Sequence, residues 1–353
     1  MSPGEVIIRP FRPGDAADQY EIISHPALAR TLVHLPSMEF SETQAWAERQ
    51  QSGRHRLVAE VDGKVAGSGS LTQAQNPRLA HSGRLGMMVH PNYWRQGIGS
   101  RLLTGLLDVA DNWLNLRRVE LEVHSENVAA IHLYQKFGFA TEGTRRKMAF
   151  GDDHWLDDLV MARLRGPVDG TSTKPTQPAE QPSRQSQGLQ APVTIRPIHP
   201  EDVDQLYDLF RHPAVARTTL QLPSQELAKT VERVNARQSG LYRYVAVSGN
   251  QILGSITLHQ PQNPRLVHSA GLGMMVHPDF WGQGIGSRLM EAVLDLADNW
   301  INLKRVELEV NIDNPAGIRL YEKYGFVVEG TKQMHTYGDG RWADSYFMAR
   351  IRE

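Results

Sequence analysis

The sequence has no cysteine in 353 residues, which excludes disulfides, thiolate nucleophiles and Cys-based zinc or iron–sulfur centres in one step. Any acyl transfer on this chain runs without a cysteinyl intermediate. A surplus of either charge is also missing: 38 Lys and Arg stand against 39 Asp and Glu, so no net field selects nucleic acid or an anionic membrane surface. No apolar run approaches the ~20 residues that span a bilayer. The start, Met1-Ser2-Pro3-Gly4-Glu5, lacks the basic and apolar regions of a signal peptide. The expectation is a soluble cytoplasmic protein with neither nucleic-acid nor membrane partners.

What the chain does have is a repeat. Ile8-Arg9-Pro10 returns as Ile195-Arg196-Pro197, Gly97-Ile98-Gly99-Ser100 as Gly284-Ile285-Gly286-Ser287, and Asp111-Asn112-Trp113 as Asp298-Asn299-Trp300, always 187 positions apart. The same offset carries His25-Pro26 onto His212-Pro213, Asn127 onto Asn314 and Trp155 onto Trp342, with roughly half of all aligned positions identical. Two copies at so long a period imply two complete globular domains, of a size that buries a real core. The predicted division is residues 6–166, a linker over 167–192, and residues 193–353. The linker is crowded with Pro, Gln, Ser, Thr and Gly and cannot offset its ordering entropy by burial. As a coil its reach is roughly 28 Å, enough for the copies to meet as an intramolecular pseudo-dimer.

Within the first copy, Gly67–Leu71 and Leu85–Val89 read as strands, the latter stopped by His90-Pro91. A loop over Asn92–Gly99 follows. From Ser100, the residues Leu102, Leu103, Leu106, Leu107, Ala110 and Leu114 form the stripe of an amphipathic helix. Val119-Glu120-Leu121-Glu122-Val123 alternates as a strand with two carboxylates on one face. A second helix starts at Asn127, an N-cap type, and stops at Gly138; in the second copy Pro315 follows Asn314, as suits a first helical position.

The loop Trp94-Arg95-Gln96-Gly97-Ile98-Gly99-Ser100 places small residues at a helix start, where backbone N–H groups and the helix dipole favour a diphosphate. The Walker pattern and the dinucleotide fingerprint both fail here: no Gly-Lys-Ser/Thr occurs, and Leu102 stands where a third glycine is required. Each candidate also has a plainer reading. Loop glycines serve tight packing, Asn127 a helix cap, Tyr134 a half-buried aromatic, and Glu122 a solvated strand carboxylate like Glu120. His25, His81 and His90 recur as His212, His268 and His277 without ligand-like spacing, so they read as structural or substrate-facing and no metal is expected.

The pairing of that loop with Asn127-x-x-Ala130-x-x-x-Tyr134-x-Lys136-x-Gly138-Phe139, repeated from Asn314 through Tyr321 and Lys323 to Gly325-Phe326, resembles the Gcn5-related N-acetyltransferases (GNAT). The resemblance spans each copy nearly end to end. It implies two tandem α/β folds of the α+β kind, each a mixed, largely antiparallel sheet flanked by helices, with acetyl-CoA as co-substrate. CoA would then lie on Val89, Arg95, Gln96, Gly97, Ile98, Gly99, Ser100 and Asn127 in the first copy. In the second it would lie on Val276, Gly282, Gln283, Gly284, Ile285, Gly286, Ser287 and Asn314. Tyr134 and Tyr321 would protonate the departing thiolate, and Glu122 and Glu309 would act as general bases, directly or through water. Backbone N–H groups of Met88 or Val89 would polarise the thioester. Asn127 and Tyr134, seven residues apart, fall at nearly one azimuth and about 10 Å apart along a helix, so one face addresses one ligand.

Both loops open with tryptophan, Trp94 and Trp281, where the family usually has Gln or Arg; this is similar to its ribosomal-protein acetyltransferase branch. The run from Asp111 to Thr144 and the closing Tyr346-Phe347-Met348-Ala349-Arg350 resemble bacterial L-amino-acid N-acetyltransferases, implying the α-amine of a free amino acid as acceptor. The alternatives are a protein N-terminus, a polyamine or a toxin amine, or a CoA-sensing tandem with one non-catalytic copy. In this fold the acceptor pocket would come from Ala27–Glu48 and Lys147–Asp158, where the copies diverge, so the two are expected to prefer different acceptors.

Overall fold

The computed structural model describes residues 5–35, 37–166, 189 and 191–353, so nearly all of the predicted linker lies outside the described residues. The chain divides into two compact units, Met1–Asp169 and Gly170–Glu353. The first runs β1 (Val6–Pro10), α1 (Ala16–Ile23), α2 (Pro26–Ala29), α3 (Phe40–Glu48), β2 (Arg54–Val61), β3 (Lys64–Gln73), β4 (Ser82–Val89), α4 (Ile98–Asp108), β5 (Arg118–His124), α5 (Val128–Lys136), β6 (Ala140–Gly151) and β7 (His154–Leu164). The second repeats it as β8 (Val193–Pro197), α6 (Val203–Arg211), α7 (Pro213–Thr218), α8 (Leu227–Asn235), β9 (Leu241–Ser248), β10 (Gln251–His259), β11 (Ser269–Val276), α9 (Ile285–Asp295), β12 (Arg305–Asn311), α10 (Pro315–Lys323), β13 (Val327–Gly338) and β14 (Arg341–Ile351).

Strand order in the first unit is β1-β2-β3-β4-β5-β7-β6, and in the second β8-β9-β10-β11-β12-β14-β13. Among the described residues of each unit every neighbouring pair is antiparallel except β4 with β5 and β11 with β12. This is the mixed, largely antiparallel sheet that the sequence predicts, present twice. Alternate residues divide between the faces, as a period of two requires. Leu57 and Met87 join Leu102, Leu103 and Leu106 of α4, while Val58 and Met88 join Ile22 of α1 and Leu28 of α2.

The stripe on α4 buries Ile98, Leu102, Leu103, Leu106 and Leu107, and each such side chain contributes about 1.5–3 kcal/mol. The helix starts two residues before the predicted Ser100, because Gly97 at φ 80° already serves as its left-handed N-cap. Its far end also departs from expectation: Val109–Trp113 widen into a π-turn, as do Leu296–Trp300 in the second unit. There the repeated Asp-Asn-Trp run finds its reason. Asp111 takes both guanidinium nitrogens of Arg163 at 2.9 Å, and Asp298 those of Arg350 at 2.8 Å.

At the base of β5 a cation is buried with its counter-charges. Arg118 is 0% exposed and donates to Glu142 at 2.8 and 2.6 Å and to Glu120 at 2.9 Å; Arg305 repeats this with Glu307 and Glu329. Glu120 is therefore one half of a cradle for Arg118, which its plain place in the strand pattern does not reveal. Removing one member of such a group strands an uncompensated charge. Glu142→Ala is expected to destabilise the first unit by about 3–5 kcal/mol in urea unfolding, whereas an exposed control, Glu42→Ala, should change it by under about 0.5 kcal/mol.

Candidate active site

The parallel pair sets the geometry. β4 and β5 are in register only at Ser82–Arg118, Gly83–Val119 and Arg84–Glu120; β11 and β12 only at Ser269–Arg305, Ala270–Val306 and Gly271–Glu307. Beyond those three pairs the strands splay, and the stretches ending at Val89 and His124 no longer share ladder bonds with each other. A wedge opens in the sheet whose walls are main-chain amides, able to receive an extended ligand that itself carries amides.

At the mouth of the wedge sits the glycine loop. Arg95 and Gly97 both adopt left-handed backbone, φ 60° and 80°; the second copy has glycine at both places, Gly282 at 76° and Gly284 at 78°. A left-handed residue leading directly into the right-handed first turn, as Gly97 leads into Ile98 and Gly284 into Ile285, turns successive N–H groups inward, the form of an anion nest. No side chain caps α4 or α9, so the first-turn N–H groups of Ile98, Gly99 and Ser100, and of Ile285, Gly286 and Ser287, have no side-chain partner at the cap.

Most loop side chains hold the loop itself. The Gln96 amide donates to Asn92 O at 2.9 Å and Gln283 to Asp279 O at 3.2 Å. Ile98 and Ile285 are buried in the core. Ser287 Oγ accepts from Lys323 Nζ at 3.3 Å. The unusual tryptophans also serve the structure, since the indole N–H of Trp94 donates to Val89 O at 2.7 Å and that of Trp281 to Val276 O at 2.8 Å. Each indole ties its loop to the end of the splayed strand. The two glycines of each loop differ in purpose. Gly97 is needed for its φ, whereas a Cβ on Gly99 would lie 3.2 Å from Leu133 Cδ2, and one on Gly286 2.9 Å from Leu320 Cδ2.

The later helix, α5 or α10, follows β5 or β12 directly. Asn127 is an N-cap, its Oδ1 accepting from Ala130 N at 3.2 Å, as Asn314 accepts from Gly317 N at 3.1 Å. Capping uses the carbonyl and leaves the amide N–H₂ of each for a ligand. Tyr134 is 6% exposed and packs at a tilt against Phe139, ring centroids 5.7 Å apart; Tyr321 is 7% exposed and packs likewise against Phe326 at 6.0 Å. Neither hydroxyl has a hydrogen-bond partner among the described residues. Burial pushes both phenols up to about 12, so each keeps its proton at neutral pH.

The carboxylates are held more firmly than their place in the strand suggests. Glu122 is bonded through Oε2 to Arg84 at 2.7 Å and through Oε1 to Arg145 at 3.0 Å. Glu309 meets Lys332 at 2.8 Å and His335 at 3.5 Å. Arg84, Arg145, Lys332 and His335 are absent from the site residues that the sequence motifs point to. The signal available for two of them is a basic residue at the same repeat position, Arg145 and Lys332. Among the histidines, His25 Nδ1 accepts from Ala27 N and His90 Nδ1 from Asn92 N, both at 3.2 Å, and the rings meet at 5.2 Å. His212 and His277 repeat the arrangement at 5.3 Å. Burial and the neighbouring His25 lower the pKa of His90, which keeps that ring neutral. Among the described residues no three His, Cys, Asp or Glu side chains converge as a metal site.

Comparison with known proteins finds the sequence profile of the Acetyltransferase (GNAT) family over residues 21–139 and that of an Acetyltransferase (GNAT) domain over residues 193–327. The chain is 32% identical over 160 residues to the L-amino acid N-acetyltransferase AaaT of Escherichia coli, covering 45% of this chain and 98% of that one. It is 26% identical over 144 residues to the Escherichia coli spermidine N(1)-acetyltransferase, covering 40% and 76%. A solved GNAT-family acetyltransferase from Streptococcus pneumoniae is similar at 31% identity and a TM-score of 0.41, covering 46% of this chain and all of that one.

The loop geometry makes a sharp expectation. Nothing lies within 4 Å of a Cβ added to Gly97, so Gly97→Ala meets only the cost of left-handed backbone, about 1–2 kcal/mol. It should nonetheless weaken CoA binding to the first unit by about tenfold or more in calorimetry, while Arg95→Gly, which installs the residue of the second copy, should leave binding within about twofold.

Proposed function

The chain belongs to the GNAT acetyltransferase family as a tandem of two such domains, and from that premise we propose that its acceptor is the α-amine of a free L-amino acid. As a member of this family it is an acetyl-CoA-dependent amine acyltransferase. The observation that carries the choice of acceptor is the pairing of charges at the end of β5. Glu122 lies between Arg84 and Arg145, so one patch offers an anion to an ammonium and guanidinium groups to a carboxylate. An amino-acid zwitterion matches both. A polyamine, with cations alone, would bring no carboxylate to the guanidinium groups of Arg84 and Arg145 and would set further cations beside them. The similarity to AaaT points the same way.

In this reading the CoA diphosphate rests on the N–H groups at the start of α4 and α9, and the thioester reaches into the wedge toward Tyr134 or Tyr321. Asn127 and Asn314 offer their amide N–H₂ to the pantetheine end. Glu122 and Glu309 draw the ammonium in by charge and take its first proton through water. The neutral amine attacks the carbonyl, the backbone N–H of Met88 or Val89 answers the oxyanion, and the phenol protonates the leaving sulfur.

The test is release of free thiol from acetyl-CoA with the full chain and a panel of the twenty amino acids, polyamines and short peptides. We expect release with amino acids, reduced by about 10²–10⁴-fold in the double Tyr134→Phe/Tyr321→Phe variant and only in part by either single change. Turnover with spermidine but with no amino acid would refute the acceptor. A single variant that abolishes all turnover would instead mark the other copy as a CoA sensor.

A further inference from the structure

Amide formation sheds two protons: the ammonium loses one before attack, and the nitrogen loses another as the C–N bond forms. Glu122, with both oxygens bonded to guanidinium groups, is ill placed to take the second. Beside it, on the same strand β5, stands His124. Ser82 and Arg118 are register partners, so His124, six residues on, is level with Met88 where the wedge is open. The ring is 5% exposed and its Nδ1 is bonded to the carboxylate of Asp158 on β7, itself 6% exposed. Its Nε2 is buried with no partner among the described residues. A carboxylate accepting from Nδ1–H leaves the lone pair on Nε2, the form of a general base aligned by an anion.

The second copy shows that this arrangement is not demanded by the fold. The positions of His124 and Asp158 are occupied by Asn311 and Ser345, and the amide of Asn311 is engaged at both ends: Oδ1 accepts from Ser345 Oγ at 3.0 Å and Nδ2 donates to Arg217 O at 3.4 Å. An imidazole is supplied there from another strand. His335, in the irregular stretch of β13, has Nδ1 2.9 Å from Ser345 Oγ and Nε2 3.5 Å from Glu309. Its counterpart in the first copy is Met148. Each copy thus brings one buried imidazole to the same end of the wedge by a different route.

We infer that His124, aligned by Asp158, is the acceptor of this second proton in the first copy, and that His335 has taken over this position in the second. The inference rests on the acetyl-transfer reading above. In the step, the amine nitrogen bonds to the thioester carbon and its N–H proton passes to His124 Nε2. The C–S bond breaks with its electron pair on sulfur, which takes the Tyr134 proton, and imidazolium and phenolate exchange the proton back through solvent. Charged groups on the elements beside His124 are Glu122 on its own strand, bonded to Arg84 of β4 and Arg145 of β6, and Asp158 on β7, the register partner of both His124 and Arg145.

The experiment uses the full chain carrying Tyr321→Phe, so that the first copy alone turns over, with the amino acid that gives the fastest thiol release. His124→Asn should lower kcat by about 10²-fold with KM for acetyl-CoA within about twofold, and imidazole added to His124→Gly should restore part of it. Asp158→Ser should lower kcat less. A kcat within about threefold of the parent for His124→Asn overturns the assignment. A second readout needs no turnover: nitrogen NMR of labelled histidine in the full chain should find the neutral tautomer of His124 with its proton on Nδ1 and Nε2 bare. A proton on Nε2 overturns the proposal even if transfer is robust, while absence of transfer to any amine in the parent refutes the underlying acetyltransferase reading instead.

Discussion

Parallel pairing between β4 and β5 lasts three residues and then stops, and the chemistry of each half depends on that interruption. A continued ladder would satisfy the strands and leave no room for a ligand. An interrupted one leaves a wedge lined by main-chain groups within an otherwise antiparallel sheet. Because the two strands are parallel, their outer ends point the same way, and the elements that follow them are delivered to the same end. α4 brings its uncapped N-terminus after β4, and α5 brings Tyr134 after β5. The buried Arg118, cradled by Glu120 and Glu142, fixes the root of β5 where the pairing begins.

The two copies keep this frame while differing at the acceptor end. Backbone recognition depends on dihedrals, and these repeat closely: φ of 80° and 78° at Gly97 and Gly284, and tryptophan bonds of 2.7 and 2.8 Å onto the strand end. Side-chain recognition has no such constraint. Arg84 is replaced by Gly271, Met148 by His335, His124 by Asn311, Asp158 by Ser345, and the buried Gln19 beneath Met88 by Leu206. These exchanges alter charge and hydrogen bonding around the open end of the wedge and leave the glycine loops untouched.

Much of this is legible in the sequence because it rests on local rules. Periodicity locates β4, β5 and α4, the repeat doubles each inference, and Asn127 caps the helix that the sequence starts there. What escapes depends on pairing across the sheet. Nothing local to Glu120 reveals that it faces Arg118 and Glu142, and nothing near Glu122 names Arg84 and Arg145, which arrive from β4 and β6. The π-turn at Val109–Trp113 is hidden because its leucine and alanine stripe also fits an α-helix. His124 is easily passed over because its partner lies on β7, 34 residues away. The trace it leaves in the sequence is a polar exchange between the copies at a strand end.

Calorimetric titration of the full chain with acetyl-CoA addresses the central claim, that each half carries a working cofactor wedge. Two molecules should bind per chain, one of them about tenfold or more weaker in Gly97→Ala and the other in Gly284→Ala. A stoichiometry of one, removed entirely by either substitution alone, would contradict it.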